Sequence, residues 1–283
     1  MRVKKKAPAG VRTCVITRVD ADGNASITLN RPEVHNAFDA IMTRELTATL
    51  KKLDANPKVR AVVLLGAGPS FCAGADIKHM KASAKFTRRQ NYRIAQESAT
   101  MFHTLYSLSK PTIACIHGAV RGGGLGVVAA CDIAIAARTA TFRLSEVKIG
   151  LIPSMISPYV TAAIGQRQAR RYFITGEEFD ASEAWRIGLV HDIVEEAELN
   201  GAISGMLAQL YSSGPRAIRA AKQLIDLNAP SAIDQRLRDE TARRIAEIRA
   251  TDEGQEGLSA FLEKRKPNWV EPKKPVKTQS RKS

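Results

Sequence analysis

Two glycine-rich turns are the parts of this sequence whose composition could support chemistry. The first reads Phe-Cys-Ala-Gly-Ala-Asp at 71–76, and the second is Gly122-Gly123-Gly124, which opens a predicted helix. Small residues let a ligand approach the backbone closely, and the first N–H groups of a helix have no partner within it. Two such groups pointing at one carbonyl oxygen would form an oxyanion hole, in which each donor is typically worth about 3 kcal/mol. The alternative is that both turns only permit tight packing.

Other catalytic patterns are weak or missing in the sequence. There is no GxxxxGK[ST] phosphate loop, and Gly-Gly-Gly-Leu-Gly at 122–126 is a poor match to a dinucleotide fingerprint. The histidines lack paired metal spacing and the four cysteines lack a CxxC pair, so we predict neither a metal site nor a disulfide framework. Cys72 is either a nucleophile or a small buried residue, and the second interpretation is favoured because no feature of the sequence supplies its base.

The chain of 283 residues carries a formal net charge of +15, most of it at the two ends. Residues 1–13 contribute +5 and residues 264–283 contribute +7, which leaves +3 on the body. Basic ends are usually solvated, whereas nucleic-acid binding needs a basic face on folded structure, so we expect no nucleic-acid partner. The sequence has no apolar run of about 18 residues and no secretory signal, so we expect no membrane span. Its four sparse cysteines favour a reducing cytoplasm.

The segments that must position the two turns alternate between strand and helix. Asp39 is predicted to cap a helix whose apolar face is formed by Ile41, Met42, Leu46, Leu50 and Leu53. Apolar or β-branched runs predict strands at 11–18, 25–29, 60–65, 111–116 and 132–136, and helices are predicted at 88–108 and from the second turn to about residue 130. This alternation indicates an α/β body with a mostly parallel sheet.

After about residue 195 the pattern is helical only, at 195–210, 214–227 and 232–250. Apolar stripes at Ile233, Leu237 and Ile245 would be hard for a monomer to cover. The helical third is therefore expected to pack on the body or on a neighbouring subunit.

Several separate motifs stand in register along the chain. They are Ile27-Thr28-Leu29-Asn30-Arg31-Pro32 with His35-Asn36-Ala37, residues 71–78, Gly118 with the second glycine turn, Cys131-Asp132, Glu146 followed by Gly150, and residues 261–267. From about residue 11 to residue 267, the sequence resembles the enoyl-CoA hydratase/isomerase family, also called crotonases. The motifs are specific for the family and much less specific for the reaction.

The resemblance implies a spiral of ββα units followed by helices that build trimers, often paired into hexamers. The expected division is a spiral core at 11–195, a helical oligomerisation region at 196–266, and flexible basic tails at 1–10 and 267–283. The expected substrate is an acyl-CoA thioester, and no separate cofactor is implied because coenzyme A is part of that substrate.

The resemblance also implies roles for individual residues. The backbone N–H groups of Ala75 and Gly123 would form the oxyanion hole for the thioester carbonyl. The adenine and pantetheine of CoA would be lined by residues around Ala37, Ala73, Asp76 and Ile77. Phe261 and Lys264 would reach the CoA of a neighbouring subunit, with Lys264 near its phosphate as a point charge.

Glu146 matches one of the two acid/base glutamates of the family's hydratases. It stands among apolar neighbours just before 149–152, which we interpret as strand-like, and burial would raise its pKa towards the working pH. The other glutamate falls at Gly126, which has no side chain for chemistry. Two glutamates would hold the attacking water between them, whereas one glutamate suits the proton shuttle of a Δ3,Δ2-enoyl-CoA isomerase.

Residues 151–160 nevertheless look like a subgroup assigned to hydrating branched, glutaconyl-type CoA esters. Arg121 would then meet a distal carboxylate of the substrate, or it is a structural or solvent-facing arginine. The favoured function is hydration of the 2,3 double bond of an unsaturated acyl-CoA, and the isomerase is the alternative. A third hypothesis, from another class, is a weakly catalytic crotonase relative that binds RNA through its basic ends.

Overall fold

The computed structural model describes residues 13–83, 85–228 and 234–270. The chain forms two compact units, which divide between Gly205 and Met206. In the described part of the chain, the strands are β1 (Val15–Val19), β2 (Asn24–Leu29), β3 (Ala61–Gly66), β4 (Thr112–Ile116), β5 (Ala119–Arg121), β6 (Ile133–Ala137), β7 (Thr141–Arg143), β8 (Glu178–Asp180) and β9 (Asp192–Val194). The α-helices are α1 (Ala40–Asp54), α2 (Ile77–Ser83), α3 (Arg88–Tyr106), α4 (Gly123–Ala130), α5 (Ser157–Thr175), α6 (Ala181–Arg186), α7 (Leu199–Ser212), α8 (Pro215–Asn228), α9 (Gln235–Ala250) and α10 (Asp252–Leu262).

The first unit is built on a six-stranded sheet with the order β1-β2-β3-β4-β6-β9. Strands β1 and β2 are antiparallel, and every other neighbouring pair in this sheet is parallel, as the alternation of the sequence predicts. Strand β4 is buried along its whole length, which explains its continuous apolar run. A smaller sheet has the order β5-β7-β8, and its first strand ends at Arg121, directly before the second glycine turn.

Helix α1 begins where the sequence predicts. The Asp39 carboxylate accepts a hydrogen bond of 2.9 Å from the Met42 N–H, which confirms the N-cap. Of the predicted apolar face, Met42, Leu46, Leu50 and Leu53 are buried, whereas Ile41 is exposed because it lies at the edge of the stripe.

The strand-like interpretation of 149–152 is wrong. Glu146–Ile149 is a 3-10 helix, which ends at Gly150 with a φ of 74°. The Leu151 N–H then donates to the Glu146 carbonyl at 3.0 Å, and the chain continues as a loop to α5. The apolar run resembles a buried strand in sequence, but its side chains line a cavity.

The two glycine turns are joined through their main chains. The Cys72 N–H donates to the Ala119 carbonyl at 3.2 Å, and the Arg121 N–H donates to the Cys72 carbonyl at 2.8 Å. A side chain at Gly124 would start 2.6 Å from the Cys72 carbonyl oxygen, and one at Gly118 would start 2.1 Å from the Pro69 carbonyl oxygen. Contact of this closeness is possible only without a Cβ, so these glycines do permit tight packing.

The second unit holds α8, α9, α10 and the end of α7. No residue of α8 or α9 is buried, and Ile225, Ile245, Leu258, Phe261 and Leu262 are exposed. Residues 267–270 of the predicted tail are described, and the Trp269 indole N–H donates to the Ser212 carbonyl at 3.2 Å. Ile233, residues 1–12 and residues 271–283 lie outside the described residues.

Gly118 provides a test of the main-chain contact. Gly118→Ala places a Cβ 2.1 Å from a carbonyl oxygen at a φ of +57°, so it should lower the free energy of unfolding by more than about 2 kcal/mol. Gly150→Ala is the matched control, because φ is +74° there but nothing lies within 4 Å of the new Cβ. Urea unfolding of both variants measures the difference, and equal losses would show that backbone strain alone matters at Gly118.

Candidate active site

The glycine turns open onto a cavity of about 500 Å³ in the first unit. Its wall combines the ends of α1, α2 and α4, one face of α3, and the loop that follows Glu146. Most of the wall is apolar, and its ionisable side chains are Asp39, His79, Glu97 and Glu146. No lysine or arginine lines this cavity in the part of the chain that the structure describes.

Ala75 presents a free N–H group at this cavity. The Phe38 N–H donates to the Gly74 carbonyl at 2.6 Å, and the Asp76 N–H donates to the Phe38 carbonyl at 2.9 Å. In this parallel bridge Phe38 bonds to Gly74 and Asp76, the residues on either side of Ala75. The N–H of Ala75 itself therefore points away from Phe38. Ala75 is exposed to the cavity, and its N–H has no acceptor among the described residues.

Gly123 presents the second free N–H group. It is the first residue of α4, so its N–H has no intrahelical partner. A Cβ on Gly74 would lie 3.5 Å from the Gly123 nitrogen, which places the two turns against each other. The sequence analysis pairs Ala75 with Gly123, and the structure brings both residues to the same cavity wall.

Glu146 lies at the same end of the cavity, at the start of the 3-10 helix. Its Oε1 would lie 2.9 Å from a Cβ on Gly122, so the absence of a side chain there leaves room for the carboxylate. Its Oε2 is buried and has no hydrogen-bond partner within the described ranges. Burial raises the pKa of Glu146 above its ordinary value of 4.5, against a smaller lowering by its own backbone N–H.

The wall at Gly126 is apolar. The Gly126 N–H donates to the Gly122 carbonyl at 3.4 Å, so the two glycines lie one helical turn apart on the same face of α4. A Cβ at Gly126 would lie only 2.2 Å from Ile156 Cγ2 and 2.9 Å from Phe102 Cε1. Ile156 therefore fills the space that a second acid at this position would need.

Arg31 is a buried residue to which the sequence analysis gave no role. Its guanidinium pairs with Asp76 at 2.5 Å and with Asp39 at 3.2 Å, and it donates to the Ala37 carbonyl. Asp76 also accepts from the Lys78 N–H at 2.7 Å at the start of α2. Arg31 thus fixes Asp39 and Asp76, which directly follow the bridged residues Phe38 and Ala75. The one sequence signal for this role was the position of Arg31 in the Asn30-Arg31-Pro32 motif.

Only some of the residues predicted to surround CoA line the cavity. Ala73 and Ile77 line the cavity, whereas Ala37 and Asp76 are buried behind its wall and contact Arg31. Phe261 and Lys264 belong to the second unit, where Phe261 is exposed near the end of α10.

Cys72 and Arg121 are engaged away from the cavity. Burial raises the pKa of the Cys72 thiol to about 12, and the thiol donates to the Asn36 carbonyl at 3.2 Å, so the small buried residue is the correct interpretation. Arg121 donates to the Thr141 carbonyl at 2.8 Å and pairs with Glu178 at 2.6 Å. It therefore ties β5 to β7 and β8 and does not line the cavity.

The mostly parallel sheet covered by helices, with two backbone N–H groups and a half-buried carboxylate on one cavity wall, agrees with the fold and site that the sequence resemblance implies. A family model described as enoyl-CoA hydratase/isomerase matches residues 20–272, and the chain belongs to this family. It is 31% identical over 254 residues to a putative enoyl-CoA hydratase from Thermus thermophilus, covering 90% of this chain and 100% of the relative. It is 33% identical to the short-chain-enoyl-CoA hydratase of Clostridium acetobutylicum, over 86% of this chain and 92% of that one.

A solved structure of an enoyl-CoA hydratase from Shewanella pealeana is similar with a TM-score of 0.88 at 42% identity, and the match covers 91% of this chain and 96% of that one. These relatives are consistent with an enzyme of the lyase type, and their names support enoyl-CoA hydratase activity. None of the described helices is long and apolar enough to cross a membrane.

Proposed function

We propose that this protein adds water across the 2,3 double bond of an unsaturated acyl-CoA. The single observation that carries the proposal is the half-buried Glu146 carboxylate, whose buried Oε2 has no partner among the described residues, in a cavity that also receives the N–H groups of Ala75 and Gly123. A buried carboxylate oxygen without a hydrogen-bond partner is costly for folding, and a proton-transfer role accounts for its retention.

In the proposed reaction the Ala75 and Gly123 N–H groups bind the thioester oxygen. Glu146 takes a proton from water, the water oxygen bonds to C3, and the electrons of the double bond move through C2 to the thioester oxygen. The negative charge that develops there strengthens both hydrogen bonds in the transition state. Glu146 then delivers the same proton to C2, which restores the thioester carbonyl, regenerates the carboxylate and completes the addition.

The charge of the cavity wall favours an uncharged acyl chain. Three carboxylic acids and His79 are its only ionisable groups within the described ranges, and Arg121 is turned towards Glu178. The distal carboxylate of a glutaconyl-type thioester would therefore find no lysine or arginine among the described residues of this wall. A glutaconyl-type chain is therefore a less favoured substrate than an uncharged acyl chain.

A Δ3,Δ2-enoyl-CoA isomerase is the second candidate, and the Gly126–Ile156 contact is the observation that favours it. Because Ile156 fills the notch at Gly126, that part of α4 offers no second carboxylate to hold a water molecule. One base is sufficient to move a proton between C2 and C4 of an acyl chain. A hydratase with this site would have to hold its water with Glu146 and backbone groups.

A spectrophotometric screen of the purified protein separates the candidates. Crotonyl-, 3-methylglutaconyl- and 3-hexenoyl-CoA are the test substrates. Hydration of crotonyl-CoA is the expected result. Conversion of 3-hexenoyl-CoA without hydration of either 2-enoyl-CoA would replace the hydratase with the isomerase.

We further propose that the chain forms a homotrimer or hexamer through the second unit, whose apolar side chains are exposed on α8, α9 and α10. In that assembly Phe261 and Lys264 would reach a neighbour's CoA, and the segments around Ala37, Ala73, Asp76 and Ile77 would contact the CoA of their own subunit. No cofactor beyond CoA enters the proposal. RNA binding is the least favoured hypothesis, and the basic ends on which it depends lie largely outside the described residues.

Glu146→Gln keeps the shape of the side chain and removes the base. We expect kcat to fall by about 10²–10⁴-fold, the usual contribution of general acid–base catalysis, with little change in the Kd of a CoA ester. Because burial raises the pKa of Glu146, wild-type kcat/KM should fall as the pH is lowered through a value above 4.5. A stopped assay across pH measures this decline, which should be missing from the residual activity of the variant. Full activity in the variant would exclude both proton-transfer mechanisms.

Gly123→Pro tests the oxyanion hole. Proline is tolerated at the first position of a helix, so the substitution removes the N–H without breaking α4. We expect a loss of about 10²-fold or more in kcat. Gly123→Ala is the matched control, because its Cβ would meet Phe38 and Phe102 only at ordinary distances of 3.6 and 3.8 Å and the N–H remains. If alanine and proline reduce kcat equally, Gly123 serves packing alone.

A further inference from the structure

The loop that follows Glu146 places large apolar side chains on the cavity wall without burying them. Ile149, Leu151, Ile152 and Met155 are between 38% and 71% exposed, and all four line the cavity that contains Glu146. Exposed apolar side chains that are contiguous and adjoin a cavity usually mark a binding surface. We call residues 149–156 the apolar loop.

The apolar loop is held in place by its own contacts. The Leu151 N–H donates to the Glu146 carbonyl at 3.0 Å, and the Ser154 N–H donates to the Ile152 carbonyl at 2.8 Å. At its far end Ile156 is buried in the notch at Gly126. The backbone of the loop is therefore held beside the carboxylate, which is the arrangement expected of a preformed wall.

We infer that the apolar loop binds the distal part of an extended, uncharged acyl chain, so that the preferred substrates are 2-enoyl thioesters longer than crotonyl. This inference rests on the proposed function, since it assigns the acyl group of the same reaction. A four-carbon chain activated next to Glu146 would leave most of the loop in water. A longer chain covers it, and each buried methylene adds about fourfold to binding.

Ile152→Ser tests the inference, with Ile174→Ser as the matched control. The two isoleucines are 71% and 72% exposed, but Ile174 lies on α5 outside the cavity wall. The measured quantity is the ratio of kcat/KM for 2-decenoyl-CoA to kcat/KM for crotonyl-CoA. We expect a wild-type ratio of at least about 10, a decrease of about fivefold or more in Ile152→Ser, and no change in Ile174→Ser.

The outcomes separate this inference from the proposed function. If wild type hydrates crotonyl-CoA as well as or better than 2-decenoyl-CoA, the function stands and the long-chain assignment is overturned. An unchanged ratio in Ile152→Ser, with a shift to smaller species in sedimentation, would show that a second copy of the chain covers the loop instead. If wild type hydrates neither substrate, the proposed function fails and the inference fails with it.

Discussion

The contact between the two glycine turns, on which the site depends, is made without side chains. Residues 70–74 and 118–124 meet main chain to main chain, and Gly74, Gly118 and Gly124 each lie where a Cβ would collide with a backbone carbonyl. The hydrogen bonds of Cys72 with Ala119 and Arg121 hold this contact together. Because the positions of the Ala75 and Gly123 N–H groups follow from it, the donors are set by covalent geometry and not by flexible side chains.

A buried cluster of charged residues, on the side of the Phe38–Ala75 bridge away from the cavity, holds the first glycine turn in position. Arg31 is buried with Asp76 and Asp39, and one of its nitrogen atoms, Nε, has no partner within the described ranges. Because burying a charged group offsets most of what its ion pairs contribute, the arginine fixes geometry more than it adds stability. It connects the start of α1 with the start of α2, on either side of the Phe38–Ala75 bridge.

Local chemistry in the sequence was sufficient to predict part of the fold, but it did not predict α5 or the strands β7, β8 and β9. The Asp39 cap, the buried strands β3 and β4 and the helix opened by the second glycine turn depend on neighbouring residues, and the sequence predicts each of them. The strand at 149–152 was predicted wrongly because an apolar run has the same composition whether it faces a core or a ligand cavity. The contact between Gly126 and Ile156 joins residues distant in sequence, so no local pattern could show it.

Because Glu146 and the apolar loop are adjacent in sequence, the position of the acid constrains how the hydrophobic wall can change during evolution. A single stretch, residues 146–156, carries both the carboxylate and the hydrophobic wall, and its two ends are anchored at Gly122 and Gly126 on one helix. Insertions or deletions within it would displace the acid together with the wall. Substrate range in this lineage should therefore evolve by exchange of side chains at constant loop length, and the stretch is a natural unit for transplantation between relatives.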